Sequence, residues 1–231
     1  MYMSCDYIDE KRPNIRVYEK LFQHVEIKST FQTDGGTLYM EPNFFWNDIP
    51  YTGGTLFLRG YFQSYKYFWN VIPDIVSQFT KNLGETFMLD EYIELAQENP
   101  CVCVHVRRTD YLNDPDIHTN LTEDYYVKAL KIFPDHRVLV FSDDIESVRY
   151  WNVWKSKNVH FVDEPDPLRT LWLMYRCDAF VIANSSLSLN AYLFAKGTRN
   201  TPGVAPAQWF GPKGPQFKIE DIVPPGTEYL Q

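Results

Sequence analysis

The sequence predicts an α/β fold whose C-terminal part is a doubly wound, parallel, Rossmann-like sheet, preceded by a less regular N-terminal part. Three observations predict it. From about residue 100 onward, short apolar runs alternate with segments of helical length, the pattern of strand–helix–strand units. The runs are near-continuous in apolar residues, as in strands covered on both faces. Polar clusters then follow three of the runs: Arg107-Arg108-Thr109-Asp110, Ser142-Asp143-Asp144 and Asn184-Ser185-Ser186. Open parallel sheets bind their ligands at those strand ends.

Residues 1–100 carry turn signals at Gly35-Gly36, Gly53-Gly54 and Gly60, and a helical segment over about 65–79. A second helix is predicted over 85–98, and Pro100 marks a boundary. Cys101–Val106 is the first strand of the regular part. Thr122 can cap a helix over 123–133, which Pro134 stops. A strand over 137–141 and a helix over 145–155 follow, then a third strand over 158–162. Asp166 or the neighbouring prolines start a helix that runs through Arg176, and 179–183 is the fourth strand. The helix over 186–196 is expected to end at Gly197. Two domains are expected, 1–100 and 101–231.

With 231 residues and 45% hydrophobic content, the chain can bury one substantial core or two small ones. Its aromatic content, 16%, supplies packing area and flat faces suited to sugars or bases. A net charge of −8 argues against a nucleic-acid partner, which needs a positive surface. The four cysteines are too sparse for a disulfide scaffold. Cys101, Cys103 and His105 alternate along one strand face, but they lack zinc spacing and a fourth ligand. Buried free thiols and no bound metal are expected. The polar start is unlike a signal peptide, and no apolar run approaches the roughly 20 residues that span a bilayer. A cytoplasmic chain without a transmembrane segment is expected, with room for a peripheral membrane association.

Arg107 and Arg108 keep their charge at neutral pH and offer forked donors that match phosphate oxygens. Either arginine could instead pair with Asp110 or Asp143, and strand alternation would send the two to opposite sides. Ser185, Ser186 and Ser188 begin a predicted helix, whose free N–H groups and positive dipole end suit a diphosphate. Ser185 or Ser186 could equally serve as its cap. Asp143 and Asp144 could accept hydrogen bonds from a ribose or base, or cap the helix that starts at Ile145. His105 is either a satisfied core histidine or faces the ligand.

At these clusters a family resemblance becomes specific. His105-Val106-Arg107-Arg108-Thr109-Asp110-Tyr111 resembles the H-x-R-R-x-D signature of the fucosyltransferase superfamily. Phe141-Ser142-Asp143-Asp144 is similar to its second block, and Ile182-Ala183-Asn184-Ser185-Ser186-Leu187-Ser188 to its third. Gly60-Tyr61-Phe62-Gln63-Ser64-Tyr65-Lys66-Tyr67-Phe68 and Ala205-Pro206-Ala207-Gln208-Trp209-Phe210 resemble segments of the α-1,2-fucosyltransferases, glycosyltransferase family 11. The resemblance implies a GT-B-like enzyme that moves L-fucose from GDP-β-L-fucose, with inversion and without a metal, to a galactose-type glycan acceptor. It implies that Arg107 grips the diphosphate and Arg108 supports the loop. Asp143 and the 185–188 turn, with His105 and Asn184, would lie near the donor. Arg107 and Asp110 are the expected catalytic pair. Asp114, Asp116 and His118 are further candidate bases. The family's Gly-rich G-x-G-N-Q segment is not found, so an incomplete or reduced acceptor-side first lobe is expected, as in a shortened member, a fragment of a longer protein or a version with an altered first lobe. Leu189-Asn190 stands where an aromatic pair is the pattern.

Overall fold

The computed structural model describes residues 2–4, 26–28, 35–51, 53–83, 100–155 and 157–231. The helix predicted over 85–98 lies outside the described residues. Two short parallel pairs come first: β1 (Tyr2–Ser4) with β2 (Glu26–Lys28), and β3 (Thr37–Met40) with β4 (Leu56–Arg59). A six-stranded sheet, parallel throughout, then organises the chain. It comprises β5 (Cys101–Val106), β6 (Arg137–Ser142), β7 (Val159–Val162), β8 (Ala179–Val181), β9 (Gly203–Pro206) and β10 (Glu228–Leu230). The spatial order is β10-β9-β8-β5-β6-β7. Counted within the sheet and read from β7, this is 3-2-1-4-5-6, and the order reverses between β5 and β8.

Among the described residues the α-helices are α1 (Ile72–Leu83), α2 (Thr109–Asn113), α3 (Glu123–Leu130), α4 (Ile145–Val148), α5 (Pro167–Arg176), α6 (Ser186–Arg199) and α7 (Ile219–Ile222). They cover both faces of the sheet, as the apolar runs require. Every residue of β5 is buried, and alternation divides them between two cores. Cys101 and Cys103 pack with α1, α5 and α6, while Val102, Val104 and Val106 pack with α3. Cys101, Cys103 and Cys177 are buried free thiols. Ile72, Val76 and Phe79 of α1 share the core of α5 and α6, so this helix, though N-terminal to Pro100, belongs to the sheet's own layers.

Several boundaries differ from the sequence reading, each for a local reason. Helix α3 stops at Leu130 because the next amides, of Lys131 and Ile132, bond three residues back to Lys128 and Ala129 and tighten the turn. The helix expected over 145–155 is instead α4 and a separate 3-10 turn, Asn152–Trp154. There the Glu123 carboxylate accepts the amides of Asn152 at 2.8 Å and Val153 at 3.2 Å, starting a new turn. Strand pairing of β8 ends at Val181 rather than at 183.

Gly197 does not end α6. The helix continues to Arg199, and Asn200 closes it in the left-handed region at φ 55°. Gly197 serves a close approach instead: a Cβ there would meet Ile72 Cγ2 at 2.7 Å, where α1 crosses α6. Because Ile72 is fully buried and cannot give way, Gly197→Val should cost about 1–3 kcal/mol through overpacking. Urea denaturation measures this, and an unchanged midpoint would show that α1 is not held at this crossing.

Candidate functional site

The order reversal leaves a crevice outside the carboxyl ends of β5 and β8, the usual ligand position in open α/β sheets. Two tyrosines of α3 hold its mouth from below. The Tyr126 hydroxyl donates to the His105 carbonyl at 3.1 Å, and that of Tyr125 to the Ile182 carbonyl at 2.7 Å. The chain leaves β5 through Arg107 and Arg108 with no glycine, so side chains rather than a Gly-rich turn supply the donors here.

Arg107 and Arg108 do diverge, and each is held by its own carboxylates. Arg107 Nη2 lies 2.7 Å from Asp110 Oδ1, and Nη1 lies 3.1 Å from Asp143 Oδ2. Its guanidinium carbon sits 5.4 Å from the centre of the Tyr111 ring. Arg108 Nε lies 3.2 Å from Asp144 Oδ2, with its guanidinium 5.2 Å from the Trp151 ring centre. Both arginines are thus ion-paired, one of the two readings the sequence offered, and Arg107 keeps N–H groups beyond its two bonds. Asp143 is the inner brace, its side chain 18% exposed. It accepts the Arg108 amide at 2.9 Å and the Thr109 hydroxyl as well. Asp144 caps α4, accepting the Ser147 amide at 3.4 Å. The Ser147 and Arg108 bonds hold its carboxyl below the usual range.

Asp110 is the open partner, 60% exposed. Partial burial works against its charge, but the Arg107 guanidinium prevails and lowers its pKa. Of the other candidate bases, Asp116 pairs with Lys213 at 2.7 Å, and Asp114 ends α2 as its cap residue. His118 stacks on Tyr111 at 4.0 Å and 7°.

His105 and Ser188 meet each other. His105 is 3% exposed, and its Nδ1 lies 2.9 Å from Ser188 Oγ, which is fully buried. Burial lowers the imidazole pKa from 6.5 to about 4, although Asp143 opposes this, so the ring is neutral at pH 7. The folded value lies below the unfolded one. The contribution is therefore intact above about pH 6.5 and is lost as the pH falls toward 4, roughly 3 kcal/mol in all. Denaturation at pH 7 and pH 4.5 should show this slope, and His105→Asn should flatten it; an equal slope in both proteins would refute the burial account.

Asn184 is likewise committed to the protein. Its Nδ2 donates to the Thr119 carbonyl at 3.0 Å and the Trp209 carbonyl at 2.8 Å. Ser185 is the cap residue of α6 but makes no side-chain cap bond, and Ser186 is exposed. The first turn of α6 carries the amides that an α-helical N-terminus leaves without an intrahelical partner, and it follows the Asn184 carbonyl that Tyr111 engages. The residue that sequence reasoning left without a role is Tyr111. Its hydroxyl donates to the Asn184 carbonyl at 2.9 Å, which ties α2 to the turn before α6. Its position four residues after Arg107 was the available signal.

The chain is 30% identical over 168 residues to an alpha-1,2-colitosyltransferase of Escherichia coli, covering 68% of this chain. It spans 57% of that relative's length. Among solved structures, POFUT1 in complex with GDP aligns at 16% identity and a TM-score of 0.43, over 65% of this chain and 54% of that one. A family 9 glycosyl transferase from Veillonella parvula aligns at 13% identity and a TM-score of 0.35, over 62% of this chain and 40% of that one. The model of glycosyl transferase family 11 matches residues 42–222, most of the chain and all of the crevice, and the chain belongs to that family.

Proposed function

We propose that the chain is an inverting glycosyltransferase that moves L-fucose from GDP-β-L-fucose to a hydroxyl of a galactose-type glycan, in α-1,2 linkage, with no metal cofactor. The observation that carries this reading is Arg107, held by Asp110 and Asp143 where the chain leaves β5, the strand beside which the sheet order reverses. As the acceptor oxygen bonds to C1, the C1–O bond to the diphosphate breaks and its electron pair leaves with GDP. A fixed guanidinium and a helix N-terminus meet that growing charge. Asp110 takes the acceptor proton. In this reading residues 101–231, with α1 packed on them, form the donor side of a GT-B enzyme. Residues 1–100 supply elements of the acceptor side, and the protein works in the cytoplasm. No helix among the described residues is long and apolar enough to cross a membrane.

The E. coli relative's name favours a second donor, a colitosyl nucleotide. Thermal stabilisation by GDP, UDP and dTDP reads the nucleotide, since a selective ligand raises stability by mass action. Product analysis with GDP-fucose or GDP-colitose and β-galactosides, with and without EDTA, reads the transfer. Stabilisation by GDP alone, with an EDTA-insensitive fucosylated product, is the expected result. Preference for UDP would overturn the donor assignment, and GDP binding without transfer to any acceptor would reduce the chain to a binding unit.

A further inference from the structure

A line of rings leads away from the arginine. Arg107 lies against Tyr111, and Tyr111 stacks on His118. His118 pairs by its backbone with Phe210, and Phe210 meets the Phe44 ring edge-on at 5.4 Å. Phe44 in turn stacks under Tyr61 at 5.4 Å and 25°. The line ends on Tyr61, which is 77% exposed. A lone exposed tyrosine would need no explanation. This one is backed by another ring, and the chain is held in an unfavourable conformation to present it.

The presentation is built from three features. Phe62 has φ 47°, a region that bulky side chains rarely adopt and that persists where the surroundings enforce it. Glu41 Oε2 enforces it, accepting the amides of Tyr61 at 2.7 Å and Phe62 at 2.9 Å. Gly60 lets the carboxylate approach, since a Cβ there would fall 2.4 Å from Glu41 Cβ. The turn thus aims an aromatic face outward at the cost of local strain.

We propose that Tyr61, backed by Phe44, is an outer acceptor subsite that stacks against the C–H face of a pyranose in the glycan, beyond the sugar that reacts at Arg107. The inference rests on the reading of the chain as a glycosyltransferase. A flat ring with one apolar face covered suits a sugar, which has its own apolar C–H face and hydroxyls round the edge. The contacts that run from Arg107 to Tyr61 give the direction of the chain: the terminal galactose inward at Arg107, the outer residues of the glycan toward Tyr61.

The test uses the full chain, and galactose, lactose and a galactose-terminated tetrasaccharide as probes, with binding read by calorimetry. GDP binding is measured in parallel. The wild type should bind the tetrasaccharide more tightly than galactose. Tyr61→Ala should weaken the tetrasaccharide by about tenfold, the scale of one lost aromatic contact, and leave galactose and GDP unchanged. Tyr61→Phe should restore it. Equal tetrasaccharide affinity in wild type and Tyr61→Ala would overturn the subsite, as would a wild type that binds no galactoside. Loss of GDP binding in the wild type would instead strike the donor reading, which the glycan measurements do not share.

Discussion

Replacing Arg107 by alanine should abolish the stabilisation of the protein by GDP and lower turnover by roughly 10²–10³-fold, the scale of losing one preorganised donor at a developing anion. The chain should stay folded. Arg107 is a third exposed, its partner Asp110 is open to solvent, and Asp143 keeps its bonds to the Arg108 amide and the Thr109 hydroxyl. Arg107→Lys keeps a charge but loses the planar fork, so an intermediate activity is expected. Arg108→Ala is the matched control, because that guanidinium turns away to Asp144 and Trp151. It should affect stability more than GDP binding. Retention of GDP binding within a factor of about two in Arg107→Ala would remove Arg107 from the donor site.

Asn184→Asp should be the most destabilising change at the rim, although it alters the side chain by one atom. The amide gives both its hydrogens to the carbonyls of Thr119 and Trp209. A carboxylate would face two oxygens with no donor, inside a site that is 4% exposed. One buried and one partly buried carbonyl lose their partner, which costs roughly 2–5 kcal/mol, and the melting temperature should fall by roughly 5–15 °C. The deficit should narrow in acid, where a protonated carboxyl regains one donor. A residue that served only to contact ligand would show the reverse: an unchanged melting temperature and weaker GDP binding.

Much of the crevice was legible because its signals are local. The apolar run of β5 and the polar clusters after β5, β6 and β8 are contiguous in sequence, and the parallel-sheet rule assigns their chemistry to one rim. Other features depend on contacts between distant residues. Gly197 reads as a helix stop, and only Ile72, far upstream, shows that it is a crossing point. Asn184 and Ser188 read as ligand contacts, because nothing nearby in sequence reveals that Thr119, Trp209 and His105 engage them. Strands β9 and β10 have only four and three residues, too few for a periodicity to register. The presentation of Tyr61 depends on Glu41, twenty residues away.

The Arg107–Asp110 pair also bears on timing. The proposed base is neutralised by the cation that should receive the diphosphate, and Asp110 is the more exposed of that cation's two partners. An arriving diphosphate would displace Asp110 first and leave its carboxylate free, with a higher proton affinity than before. The nucleotide sugar would thus arm the base that deprotonates the acceptor. Such a device favours ordered addition, donor before acceptor, and keeps the base disengaged while no donor is in place.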